Sequence, residues 1–74
     1  MKMYVTFGQV HTHSVNGKTF DKDCVAVVEC DDVSQGYKLI SEYFGTTYCF
    51  SYTEKNFNFD TLQYFPRGVI GVND

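Results

Sequence analysis

The chain lacks tryptophan, has a single proline, and contains no apolar run long enough for a signal peptide or for the roughly 20 residues of a membrane span. A soluble, unexported protein is expected. It lacks clustered Lys and Arg: Lys2, Lys18, Lys22, Lys38, Lys55 and Arg67 are dispersed among nine acids, for a net charge of −3. A nucleic-acid backbone is normally met by grouped cations, so no DNA or RNA footprint is present, and the charge is too small for a DNA mimic. The three cysteines, Cys24, Cys30 and Cys49, form no CxxC pair and no disulfide-rich spacing, which fits buried thiols in a reducing compartment. The six glycines have no phosphate-cradling spacing. There are also no repeats, linkers or low-complexity segments.

What is present is aromatic. Seven Phe and six Tyr stand in 74 residues, and their large apolar areas replace many aliphatic residues in a core. Disorder is thereby disfavoured, and the length suits one domain, residues 1–74, with a thin stability margin.

Tyr4–Val10 is rich in β-branched and aromatic residues and predicts a first strand, continuing through His11-Thr12-His13-Ser14-Val15 to Asn16-Gly17. Asn-Gly is a strong type I′ hairpin signal, and a two-residue turn there pairs positions summing to 33: His13 with Phe20, His11 with Lys22, Gln9 with Cys24. The return strand is Cys24–Cys30, with Phe20–Asp23 as a bulge or widened loop. Asp31-Asp32-Val33-Ser34 starts a helix running to about Phe44, its apolar face formed by Val33, Tyr37, Ile40 and Phe44. Gly45 ends it. Thr46–Thr53 alternates as a third strand, residues 54–60 read as a polar connection, and 62–65 as a short extended piece or turn. Pro66-Arg67-Gly68 is a turn before a last strand, 69–72.

The β-β-α-β-β order predicts an α+β domain, a mainly antiparallel sheet with one helix packed on one face. One helix covers one side only. The other face should then expose Tyr and Phe unless another chain covers it, which points to a homodimer or a partner-binding surface.

Local chemistry is sparse. His11 and His13, two apart on a strand, face the same way and are weak metal candidates, disfavoured by Lys22 and by Asp21 and Asp23 falling on the opposite face. Cys24 with His11 would make a thiol–imidazole pair without an orienting third group. The Asp pairs 21/23 and 31/32 are accounted for by turns and helix capping. Neither a catalytic set nor a cofactor motif is evident. The aromatic segment Tyr48, Phe50, Tyr52, Phe57, Phe59, Tyr64 and Phe65 supplies candidate contact residues; Tyr48, Phe50, Tyr52, Tyr64, Phe65 and the turn residue Arg67 are the partner-binding candidates.

Three stretches carry a resemblance: Tyr4-Val5-Thr6-Phe7-Gly8-Gln9-Val10-His11, then Asn16-Gly17-Lys18-Thr19-Phe20-Asp21-Lys22-Asp23-Cys24-Val25-Ala26-Val27, then Tyr64-Phe65-Pro66-Arg67-Gly68-Val69-Ile70. Over most of its length the chain resembles small uncharacterised proteins encoded by tailed bacteriophages. That resemblance implies a viral protein made in the host bacterial cytoplasm, where proteins of this size commonly bind and block a host enzyme or defence protein. The expected function is therefore a non-enzymatic inhibitor of a host protein, without nucleic-acid, membrane or cofactor partners. The alternative is a homo-oligomer that sequesters a small molecule or nucleotide, and a third reading is a metal-dependent enzyme using His11 and His13.

Overall fold

The computed structural model describes residues 1–46, 48 and 50–73. Four strands form the main sheet in the order β5-β1-β4-β6, and a two-stranded hairpin, β2-β3, stands beside it. In chain order these are β1 (Lys2–Thr6), β2 (His13–Val15), β3 (Lys18–Phe20), β4 (Cys24–Glu29), helix α1 (Val33–Phe44), β5 (Phe50–Thr53), a 3-10 helix (Phe59–Tyr64) and β6 (Gly68–Gly71). The class is α+β, with α1 on one sheet face. β1 pairs antiparallel with both β4 and β5, while β6 runs parallel to β4.

The hairpin forms in the register set by its turn. Asn16 and Gly17 both have positive φ, 53° and 77°, as a type I′ turn requires, and His13, Ser14 and Val15 face Phe20, Thr19 and Lys18. The single long first strand does not form. Gly8, at φ 67°, opens a turn that separates β1 from β2, so Gln9 does not pair with Cys24 nor His11 with Lys22. In the main sheet Met3 pairs with Val28 and Val5 with Ala26, a register displaced by two from that of the hairpin. An even displacement keeps every side chain on its face, so the hydrophobic pattern tolerates it.

Asp32 caps α1 by accepting from the Gln35 N–H at 2.8 Å, and Gly45, φ 63°, donates its N–H to the Ser41 carbonyl at 2.8 Å. The buried stripe differs from the sequence expectation. Gly36, Ile40 and Phe44 face the sheet, whereas Val33 and Tyr37 are exposed. Gly36 explains the rotation: a side chain built there would collide with Met3 Sδ, so its absence lets the helix lie close over β1. On this face Met3, Val5, Phe7, Phe20, Cys24, Ala26, Val28, Cys30, Ile40, Phe44 and Val72 make the larger core.

The opposite face is not bare, which corrects the expectation drawn from a single helix. Tyr4, Val25, Val27 and Phe57 form a second core, with Tyr52, Leu62 and Phe65 packed on it. The chain after β5 turns back across the sheet: Phe57 stacks on Tyr4 with ring centroids 4.6 Å apart and planes at 11°, and Phe59 meets Tyr4 edge-on at 5.3 Å. The segment 59–64, expected as polar connection and extended piece, is instead a 3-10 helix capped by Asn58, whose side chain accepts from the Asp60 N–H. Of the expected third strand, β5 keeps Phe50–Thr53; Tyr48 is in no regular element, and Thr47 and Cys49 lie outside the described residues.

The β6 end is tied to the β3–β4 turn. Arg67 donates its backbone N–H to the Asp23 carbonyl at 2.8 Å, and its guanidinium sits 3.2 Å from Asp21 Oδ1. The Asp21 carboxylate also accepts from the Asp23 N–H, and this bond, with Arg67, holds its pKa below the ordinary carboxylate value. Because the folded value lies under the unfolded one, this stabilisation is complete above the ordinary range and is lost as pH falls through the folded value. Urea titrations at stepped pH should therefore show Asp21→Asn less stable than the parent near neutrality, with the gap closing under acid conditions. A gap that stays constant with pH would exclude this linkage.

Candidate functional site

The six sequence-derived contact residues separate into two places and a remainder. Phe50, Tyr52, Tyr64 and Phe65 converge on one groove of about 330 Å3, together with Thr6, Asn56, Phe57, Asn58 and Thr61. Tyr48 is not there; it packs half-buried against the helix-side core. Arg67 is engaged with Asp21 at the β6 end of the sheet. Within the groove, Phe50 is 59% and Tyr64 72% exposed, whereas Tyr52 and Phe65 are half-buried against the second core. Phe59 stands exposed on the same side, edge-on to Phe57 at 5.1 Å.

Local physics assembles this groove. β-strand alternation puts Phe50 and Tyr52 on the sheet face opposite α1, and the ring of Tyr52 lies 5.6 Å from that of Phe57. The turn after Thr53 reverses the chain because its carbonyl accepts from both Asn56 and Phe57 N–H groups, at 3.1 and 3.0 Å. The 3-10 helix then presents Thr61 and Tyr64 as the facing wall. Thr6, Asn56, Asn58 and Thr61 escaped the sequence reading, because nothing local says over which sheet face a connection folds. Among the described residues no charged side chain lines the groove, and its wall is aromatic rings with hydroxyl and amide groups between.

The groove borders a strand edge. β5 has β1 as its sole neighbour among the described residues. Met1 and Cys30 exchange N–H···O bonds at 2.7 and 2.9 Å, so along β1 the odd residues bond to β4 and the even ones turn to β5. Lys2 agrees, donating its N–H to Glu54 at the end of β5. Tyr4/Tyr52 and Thr6/Phe50 are therefore the bonded pairs, and the backbone of Ser51 and Thr53 points away from the sheet. The other edge is closed in part: Lys18 Nζ donates to the Gly71 carbonyl at 2.6 Å, and Asn16 Nδ2 to the Val72 carbonyl at 2.8 Å.

The metal and nucleophile candidates are placed elsewhere. His13 packs its ring 5.8 Å from Phe7 and 5.2 Å from Phe44, and among the described residues no three His, Cys, Asp or Glu side chains are grouped to hold an ion. Cys24 is fully buried, and burial pushes its thiol pKa up, the reverse of what activates a thiolate. Its sulfur bonds with the backbone of Asp21, not with His11. Cys30 is likewise buried with a raised pKa.

The chain matches no family model, and comparison with curated proteins and with solved structures gives no match. Among the described residues no helix is long and apolar enough to cross a membrane.

Proposed function

We propose that the chain is a non-enzymatic binding protein of the phage type it resembles, acting in the bacterial cytoplasm by occupying a surface of a host protein with its aromatic groove. The observation that carries this reading is the exposure of Phe50, Phe59 and Tyr64 together on one side of a fold that has enough other aromatics to fill both cores. Each ring offers a large apolar area of the kind that dominates recognition hot spots. Phe50 and Tyr64 belong to neither core, and Phe59 keeps half its surface in water even though it meets Tyr4 and Phe57 edge-on.

The test is affinity capture from a bacterial lysate with purified tagged chain, followed by titration of the captured protein. Phe50→Ala and Tyr64→Ala should each weaken that partner by about ten-fold or more while shifting the thermal midpoint little, since both rings are solvent-facing. Arg67→Ala should do the converse, lowering stability through loss of the Asp21 clasp and sparing the partner. Unchanged affinity in both groove variants would remove the reading.

A second reading, a homo-oligomer that sequesters a small molecule or nucleotide, is favoured by the volume of the groove, which falls within the range of small-ligand sites. It predicts a ligand retained through purification and released on denaturation.

A further inference from the structure

We infer that the groove's partner is an extended peptide segment of a protein, which adds to the sheet as a strand beside β5 and carries bulky apolar side chains at every second position and a carboxylate near Lys55. This rests on the proposed reading that the groove binds a protein, and names the form that protein must present.

Three observations converge on it. First, β5 offers an outward Ser51 N–H and C=O and an outward Thr53 N–H, whereas the opposite sheet edge is partly closed by Lys18 and Asn16. Natural edges are usually guarded by charge, proline or bulges, yet Phe50–Thr53 carries none of the charged or proline guards. Secondly, the edge is flanked on both faces. On one side lies the aromatic groove; on the other, at the Thr53 end of the edge beside the first residue of α1, lies a second cleft of about 360 Å3 lined by Met1, Val33, Thr53, Glu54 and Lys55. An added strand points alternate side chains to the two faces, so a groove on each face matches its period of two. Thirdly, the charges in that second cleft are unequal in availability: Glu54 already accepts from the Lys2 N–H, while Lys55 has no ion-pair partner among the described residues. A carboxylate on the incoming segment complements it. The three lines select an extended backbone, where a helix or a flat protein surface would leave the Ser51 and Thr53 groups unpaired.

The test uses the intact chain and a displayed library of random decapeptides, with selected peptides resynthesised. The expected selection has apolar residues at alternate positions and an Asp or Glu toward one end, a preference that Lys55→Ala erases. Binding should slow hydrogen exchange of the Ser51 and Thr53 amides by about ten-fold or more. N-methylation of the peptide backbone should weaken binding by about ten-fold at every second residue and little at the residues between, because only alternate N–H groups reach β5. An N-methyl scan without that alternation overturns the inference. If such peptides still lose affinity with Tyr64→Ala, the groove reading survives and strand addition alone has failed; if Phe50→Ala and Tyr64→Ala also change nothing, both have. Protection of Ser51 and Thr53 that appears without peptide and rises with protein concentration assigns the edge to a second copy of the chain, and likewise overturns it.

Discussion

Phe57→Ala should be the most damaging single substitution on the sheet face opposite the helix, lowering stability by about 3–5 kcal/mol. Phe57 is the ring around which that face is organised: it stacks on Tyr4 and meets Tyr52 and Phe59 edge-on. Truncation removes its own burial and its aromatic geometry, and it also loosens the 3-10 helix, which is then held by the edge-on contact of Phe59 with Tyr4 and by the half-buried Leu62 and Phe65. A 74-residue domain has a total stability of only roughly 4–11 kcal/mol, so the variant should be largely unfolded on warming. Urea melts should show the loss, together with a dye-binding signal from the uncovered sheet. A shift under 1 kcal/mol would mean that the segment 57–65 contributes little to the fold, and the groove it walls would lose its rigid support.

Gly36→Ala is expected to destabilise although Ala is the better helix former by about 1 kcal/mol. The new Cβ would collide with Met3 Sδ and begin 3.1 Å from both Cys30 Sγ and Met3 Cγ, and Met3 is fully buried, so it has no open solvent into which to retreat. Overpacking of this kind costs about 1–3 kcal/mol, enough to lower the thermal midpoint by about 4–8 °C for each net kcal/mol in a domain of this size. The cause is checked by a double-mutant cycle with Met3→Ala. Met3→Ala alone leaves a cavity costing about 2–5 kcal/mol, but beside Gly36→Ala part of that space is filled. The double variant should therefore be more stable than the sum of the singles. Strict additivity would show that the helix, rather than Met3, gives way.

Both predictions concern contacts between segments far apart in the chain, and that is where sequence and structure part company. Local chemistry was readable residue by residue. Asn16-Gly17 demanded its turn and set the register of β2 against β3; Asp32 and Gly45 bounded α1; the alternation of Phe50 to Tyr52 marked β5. Each of these depends on backbone dihedrals or on side-chain bonds within a few residues, so the order β, helix, β and the α+β class followed. The four aromatic groove residues Phe50, Tyr52, Tyr64 and Phe65 were likewise nameable from composition, but their meeting was not.

Tertiary packing decided the rest. Periodicity alone rates Tyr37 as core and Gly36 as neutral, and only the approach of the helix to Met3 reverses that order. Arg67 resembles any solvated turn residue until β6 brings it beside Asp21. Residues 54–60 read as a polar connection and 62–65 as a short extended piece or turn, because polar residues separate the aromatics; burying Phe57 against Tyr4 outweighs that local polarity by removing a stacked ring pair from water. Forces acting over a few residues set the Asn16-Gly17 turn, both ends of α1 and the alternation within β5, but neither the break at Gly8 that divides the first strand nor the 3-10 helix Phe59–Tyr64. Which sheet face each element covers, and hence that an aromatic groove lies beside an open strand edge, was decided by long-range burial that no local pattern encodes.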